Sequence, residues 1–219
     1  MIRLAEVTPA KEPGLWELCE KYITEGLGKE NVQFEHYYEE KLLGEIMDHG
    51  EMTEEFARRT FEIFEDARKS NPDVIFVECS TIGNVSAAAK KLYEQMGVKL
   101  ISGDEPAAQK AVSVGERIGL IVNLETTLGP SEDLLRRCAA EQGKNIEIVL
   151  GYRKVFGMGK DQIKQAVYDC CVEVAPEVDV IFLAQPSMSL YSDWLQEAVD
   201  VPVISTLPYA VDELKKYKE

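Results

Sequence analysis

The chain has 219 residues, 45% hydrophobic and 29% charged, enough for one large α/β domain or two small lobes with a real core. A net charge of −15, spread along helical stretches, argues for a solvated acidic surface and against a nucleic-acid or anionic-membrane partner. No apolar run is long enough to cross a bilayer and no signal-peptide pattern opens the chain, so the sequence predicts a cytoplasmic protein.

Ile2 to Val7 reads as the first strand, turned by Thr8-Pro9-Ala10 into a helix from Gly14 to Tyr22. Val32-Gln33-Phe34 is a short second strand, and His36 to Leu43 reads as a loop running into a short helix. Thr53 is a good N-cap for a long amphipathic helix reaching about Lys69, and Ser70-Asn71-Pro72 ends it. Asp73-Val74-Ile75-Phe76-Val77 then forms a strand buried on both faces, followed by Glu78-Cys79-Ser80-Thr81 and a helix from Ser86 to Met96. Val98 to Ile101 is a strand, and Gly103-Asp104-Glu105-Pro106 opens a helix to about Val114. Arg117 to Val122 is another buried strand. It ends in the hydroxyl-rich loop Asn123 to Ser131, with Ser131 as the predicted cap of the next helix. Strands at Ile146–Val149, Asp179–Leu183 and Val201–Ile204 alternate with helices at Lys160–Val174, Asp193–Ala198 and Tyr209–Tyr217.

This alternation predicts an α/β fold with mostly parallel sheets flanked by helices. The expected division is into two lobes, residues 1–100 plus 205–219 and residues 101–204. One phrase occurs twice: Asp73-Val74-Ile75-Phe76 is repeated as Asp179-Val180-Ile181-Phe182, each copy followed by a further apolar residue and a small hydroxyl-bearing loop. In register, Cys79 falls on Gln185, Ser80 on Pro186 and Thr81 on Ser187. Two such units facing each other would place Cys79 and Gln185 on opposite walls of one cleft.

The five cysteines, Cys19, Cys79, Cys138, Cys170 and Cys171, are odd in number and contain no Cys-x-x-Cys pair, which speaks against a disulfide framework or a zinc site. The two histidines, His36 and His49, stand outside any His–carboxylate motif, so no metal is expected. Cys79 differs from the other thiols in its position. It sits where a central parallel strand hands over to a helix, the place at which open α/β sheets bind ligands. Backbone N–H groups that open a helix favour an anion there, whether a thiolate or a substrate carboxylate. The loops after the parallel strands would gather Thr8, Cys79, Ser80, Thr81, Asn123, Thr126, Thr127, Gln185 and Ser187 at one edge. This set is rich in hydrogen-bond donors and suits a small carboxylate; for each threonine a helix cap or turn is an equal alternative. Cys79 is its nucleophile or base. Glu78 precedes Cys79 in a strand and points to the other face.

Cys-Ser-Thr after an apolar strand, Arg-Ile-Gly-Leu-Ile-Val before a threonine-rich loop, and the repeated strand resemble the cofactor-independent aspartate/glutamate/hydantoin racemase superfamily. The likeness extends to the turn Gly103-Asp104-Glu105-Pro106 and the closing Val201-Pro202-Val203-Ile204. The resemblance implies two pseudo-symmetric lobes with the active site between them, no cofactor, and a pairing of subunits consistent with a homodimer. It implies that Cys79 is the first of two catalytic cysteines and that Ser80 and Thr81 bind the substrate carboxylate. Gln185 stands where the second cysteine would be, and an amide cannot exchange protons as a thiol does. Three readings therefore stay open. One is a racemase or isomerase acting through Cys79 next to a carboxylate. Another is a one-cysteine decarboxylase or cis–trans isomerase of a small dicarboxylate, although the decarboxylases that keep one cysteine keep the opposite one. The last is an inactive relative that still binds carboxylates. His36, Glu39 and Glu40 are candidate second bases.

Overall fold

The structure is a computed structural model that describes residues 1–155 and 158–217. The chain divides into two compact units, Met1–Gly103 with Leu207–Glu219, and Asp104–Thr206.

The first unit contains β1 (Ile2–Thr8), α1 (Pro13–Leu27), β2 (Val32–Tyr38), α2 (Leu42–His49), α3 (Glu54–Lys69), β3 (Val74–Val77), α4 (Gly83–Gln95) and β4 (Leu100–Ser102). Its four strands pair in parallel in the order β2-β1-β3-β4. The second unit contains α5 (Glu105–Val114), β5 (Arg117–Val122), α6 (Leu128–Glu141), β6 (Glu147–Tyr152), α7 (Lys160–Val174), β7 (Val180–Leu183), α8 (Ser192–Gln196) and β8 (Val203–Ser205). Its strands are also parallel, in the order β6-β5-β7-β8. The closing helix α9 (Thr206–Lys215) returns to the first unit, where Ala210, Val211 and Leu214 join the core.

Strand alternation sorts the first unit's side chains. Ile2, Leu4 and Phe76 pack with Ile23 and Leu27 of α1, while Ala5, Val7, Ile75 and Val77 pack with Ile63 and Phe64 of α3 and Tyr93 of α4. Both faces are covered, so β3 reads as an unbroken apolar run.

The repeated aspartate has one role in both copies. Asp73 accepts from the backbone N–H of Arg3 (2.7 Å), and Asp179 from those of Glu116 and Arg117 (2.9 and 2.8 Å). Each pins the start of the first strand of its unit beside the third. Backbone bonds match too: Glu78 N–H donates to Val7 (3.2 Å) and Ala184 N–H to Ile121 (3.1 Å). The sequence repeat is therefore a structural repeat within each unit.

Two elements depart from the sequence reading. His36, Tyr37 and Tyr38 continue β2 instead of forming a loop, because β1 supplies a parallel partner along its whole length, with Glu6 opposite His36 and Thr8 opposite Tyr38. An edge strand needs no continuous apolar stripe, so its polar composition conceals it. Ser131 lies inside α6 and is buried; the helix begins three residues earlier, at Leu128. Thr53 does cap α3, its Oγ1 accepting from the Phe56 N–H at 3.2 Å. Thr53→Ala is expected to lower stability by about 1 kcal/mol, read from the urea midpoint at unchanged slope.

Candidate active site

Cys79 follows β3 and precedes a 3₁₀ turn, Ser80–Ile82, that runs directly into α4. Its backbone is extended and its carbonyl accepts from the Ile82 N–H at 3.3 Å. The N–H groups that open this helical run thus lie next to the thiol in sequence, a setting that favours negative charge. Among the described residues Cys79 is the one cysteine that is not fully buried. Burial raises the other four thiols: Cys138 and Cys171 are pushed up to about 12, and Cys19 and Cys170 also lie above the ordinary thiol value. These four are core residues. Ser80 and Thr81 are buried beside Cys79. Thr8, at the end of β1, is fully buried and its hydroxyl donates to the Ala10 carbonyl at 2.6 Å.

In the second unit Gln185 occupies the matching place, extended after β7 and ahead of the 3₁₀ run Pro186–Tyr191. Its side chain is buried and ties two loops together. Oε1 accepts from the Asn123 N–H (3.2 Å), and Nε2 donates to Thr127 Oγ1 (3.0 Å). Thr127 passes the chain on by donating to the Leu124 carbonyl at 2.7 Å. With its one hydrogen committed, Thr127 works here as a link between loops. Gln185 keeps one N–H and one acceptor lobe for further partners. Asn123 and Thr126 are partly exposed on the same loop, and Ser187 is exposed.

Glu39 is held by Arg59, whose Nε lies 3.0 Å from Oε1, and Arg59 also reaches Glu45 at 2.5 Å. This ion pair occupies Glu39 as a salt-bridge partner. Glu78 faces away from Cys79, as strand alternation requires, and meets Glu6, a buried residue that the sequence reading did not single out. The visible signal for Glu6 was an acidic residue at an inward position of an apolar strand.

No helix among the described residues is long and apolar enough to cross a membrane. No curated protein matches the sequence. Solved structures share its fold. An allantoin racemase from Klebsiella pneumoniae superposes with a TM-score of 0.69 at 17% identity, over 99% of this chain and 87% of that one. A glutamate racemase from Bacillus anthracis gives 0.70 at 17% identity, over 98% and 80%. An arylmalonate decarboxylase gives 0.54 at 16% identity, over 99% and 92%. The family described as Asp/Glu/hydantoin racemase matches by its sequence model over residues 17–214. The two lobes of parallel sheet and the match along most of the chain agree: the chain belongs to the Asp/Glu/hydantoin racemase family.

Proposed function

We propose that the protein is a cofactor-independent racemase or isomerase that acts at the carbon next to the carboxylate of a small amino or hydroxy acid, with Cys79 as the proton-transferring group. The observation that carries this reading is the position of Cys79, the one incompletely buried thiol, at a strand-to-helix turn in a chain of this family. Cys79 as thiolate takes the α-proton, and the thiol so formed returns a proton to the carbanionic carbon. Ser80, Thr81 and the adjoining backbone N–H groups hold the carboxylate, and Asn123, Thr126 and Ser187 are the further polar contacts we assign. Gln185 contributes a hydrogen bond to the carboxylate or to the developing enolate and moves no proton itself. Exchange from one face should therefore outrun inversion.

The test is incubation in deuterated water with a panel of small amino, hydroxy and dicarboxylic acids. Deuterium at the α-carbon of an otherwise unchanged acid supports the proposal. Carbon dioxide release without such exchange supports the decarboxylase reading instead, which the fold shared with an arylmalonate decarboxylase keeps in view.

Gln185→Ala removes the acceptor of the Asn123 N–H and the donor to Thr127 Oγ1. It is expected to weaken substrate binding by about 1–3 kcal/mol, read as a rise in KM, with a smaller fall in kcat.

A further inference from the structure

The C-terminal end of the first sheet buries an acidic cluster that the fold itself does not require. Glu6 on β1 is fully buried, and Glu78, just after β3, is 2% exposed. In the parallel register Glu6 lies directly opposite His36 of β2. His36 Nε2 is 2.8 Å from Glu6 Oε2 and 2.9 Å from Glu20 Oε1 of α1. Trp16, also on α1, stacks on the imidazole with ring centroids 4.3 Å apart and fixes its plane.

The second unit serves as an internal control. By the paired registers, Glu6 corresponds to Leu120, His36 to Leu150 and Glu78 to Ala184. The same sheet is thus built there with apolar residues at all three places. Nothing in the strand geometry calls for carboxylates.

The cluster also lacks donors. No hydrogen bond from the described residues reaches either carboxylate oxygen of Glu6 or of Glu78. The contact of His36 with Glu6 is close without hydrogen-bond geometry. The remaining neighbours are each other's carboxyl and the weakly donating Cys19 thiol. A neutral imidazole offers one ring N–H at most, and here one nitrogen faces two carboxylates.

We propose that Glu6, Glu20 and His36 bind a divalent cation of the Mn²⁺ or Zn²⁺ type, the two carboxylates balancing its charge. One donor atom from each of the three residues lies within 4.8 Å of the others. The two shortest separations, 2.8 and 2.9 Å, match the octahedral edge of about 2.9 Å that ligands roughly 2.0–2.1 Å from a metal would span. Imidazole with carboxylate oxygens favours a transition ion over Mg²⁺ or Ca²⁺, which prefer oxygen alone. The floor is buried, but the His36 and Glu20 side chains are 29% and 33% exposed, which opens the site to solvent on that side. Cys79 lies on the opposite face of the sheet end from Glu78, so the ion would brace the base of the turn that carries the thiol, without a part in proton transfer.

The probe is Mn²⁺, which binds oxygen and nitrogen donors in preference to the five thiols. The full chain is freed of metal with a chelator, and loss of the free-ion electron paramagnetic resonance signal is followed during titration. One ion per chain with a micromolar Kd is expected. His36→Gln and Glu20→Gln, both at the exposed rim, should each weaken it by at least about tenfold. Glu30→Gln, outside the cluster, should leave it unchanged, with melting curves verifying that all three variants fold. Absence of binding below millimolar Mn²⁺, or equal binding by the native protein and both rim variants, would overturn the assignment.

Discussion

Cys79→Ala is expected to lower α-proton exchange on any accepted acid by about 10²–10⁴-fold, the usual contribution of a positioned acid–base group. The same change should cost little stability, because the thiol is partly exposed and the turn that follows is closed by backbone bonds. Two controls separate chemistry from structure. Cys79→Ser keeps the shape and hydrogen-bonding capacity but is a far weaker acid than the thiol, so it should be nearly as inactive as alanine. Cys138→Ala should change melting temperature and leave exchange almost intact, since Cys138 belongs to the buried core. Exchange rates followed by proton resonance in deuterated water, beside a urea titration of each variant, check both halves. An active Cys79→Ala protein would move the proton transfer to another residue.

The buried acids make a second large effect. Burial raises Glu6 to about 8, against 4.5 for a free glutamate, with its contact with the Glu78 carboxyl opposing and the charge of Glu20 adding to the rise. Burial, followed by the charge of Glu6, holds Glu78 well above 4.5 as well. In this window the folded protein keeps protons that the unfolded chain has already released. The stability that Glu6 allows is thus fully present below 4.5 and is lost as pH rises through about 8, and Glu78 acts in the same direction. Each proton retained contributes a fall of about 1.4 kcal/mol per pH unit. Metal-free protein in a chelating buffer should therefore be markedly less stable at high pH than at slightly acid pH. Glu78→Gln removes one buried charge and supplies an amide donor to Glu6, so it should flatten this dependence and stabilise the protein on the alkaline side. Urea midpoints across the range measure both slopes. A flat native profile would show that the pair is already compensated.

Where the fold was legible in the sequence, burial made it so. β3, β5 and β7 are covered on both faces and appear as uninterrupted apolar runs between helix-period stretches. The repeated Asp-Val-Ile-Phe was readable because both copies meet the same need, an aspartate that receives the N–H groups at the start of a neighbouring strand. The far half of β2 was not readable: its partner lies thirty residues upstream, and an edge strand carries polar residues freely. Cys79 could be singled out from its place after an apolar strand. The link from Gln185 through Thr127 to Leu124 could not, because hydroxyls and amides look alike in sequence whether they bind a ligand or each other. The meeting of Glu6, Glu20, His36 and Glu78 was hidden for a related reason. It is made by strand register and one helix face, from residues that share no local motif.

The central claim is that proton transfer at carbon runs through the Cys79 thiol. Partial alkylation tests it in the native sequence. Samples treated with limiting iodoacetamide are divided, one part for peptide mass spectrometry of the five cysteines and one for α-deuterium incorporation. Cys79 should be modified first, and residual exchange should fall in a straight line to zero as its labelled fraction approaches one. Protein fully alkylated at Cys79 that still exchanges the α-proton at the native rate would contradict the account.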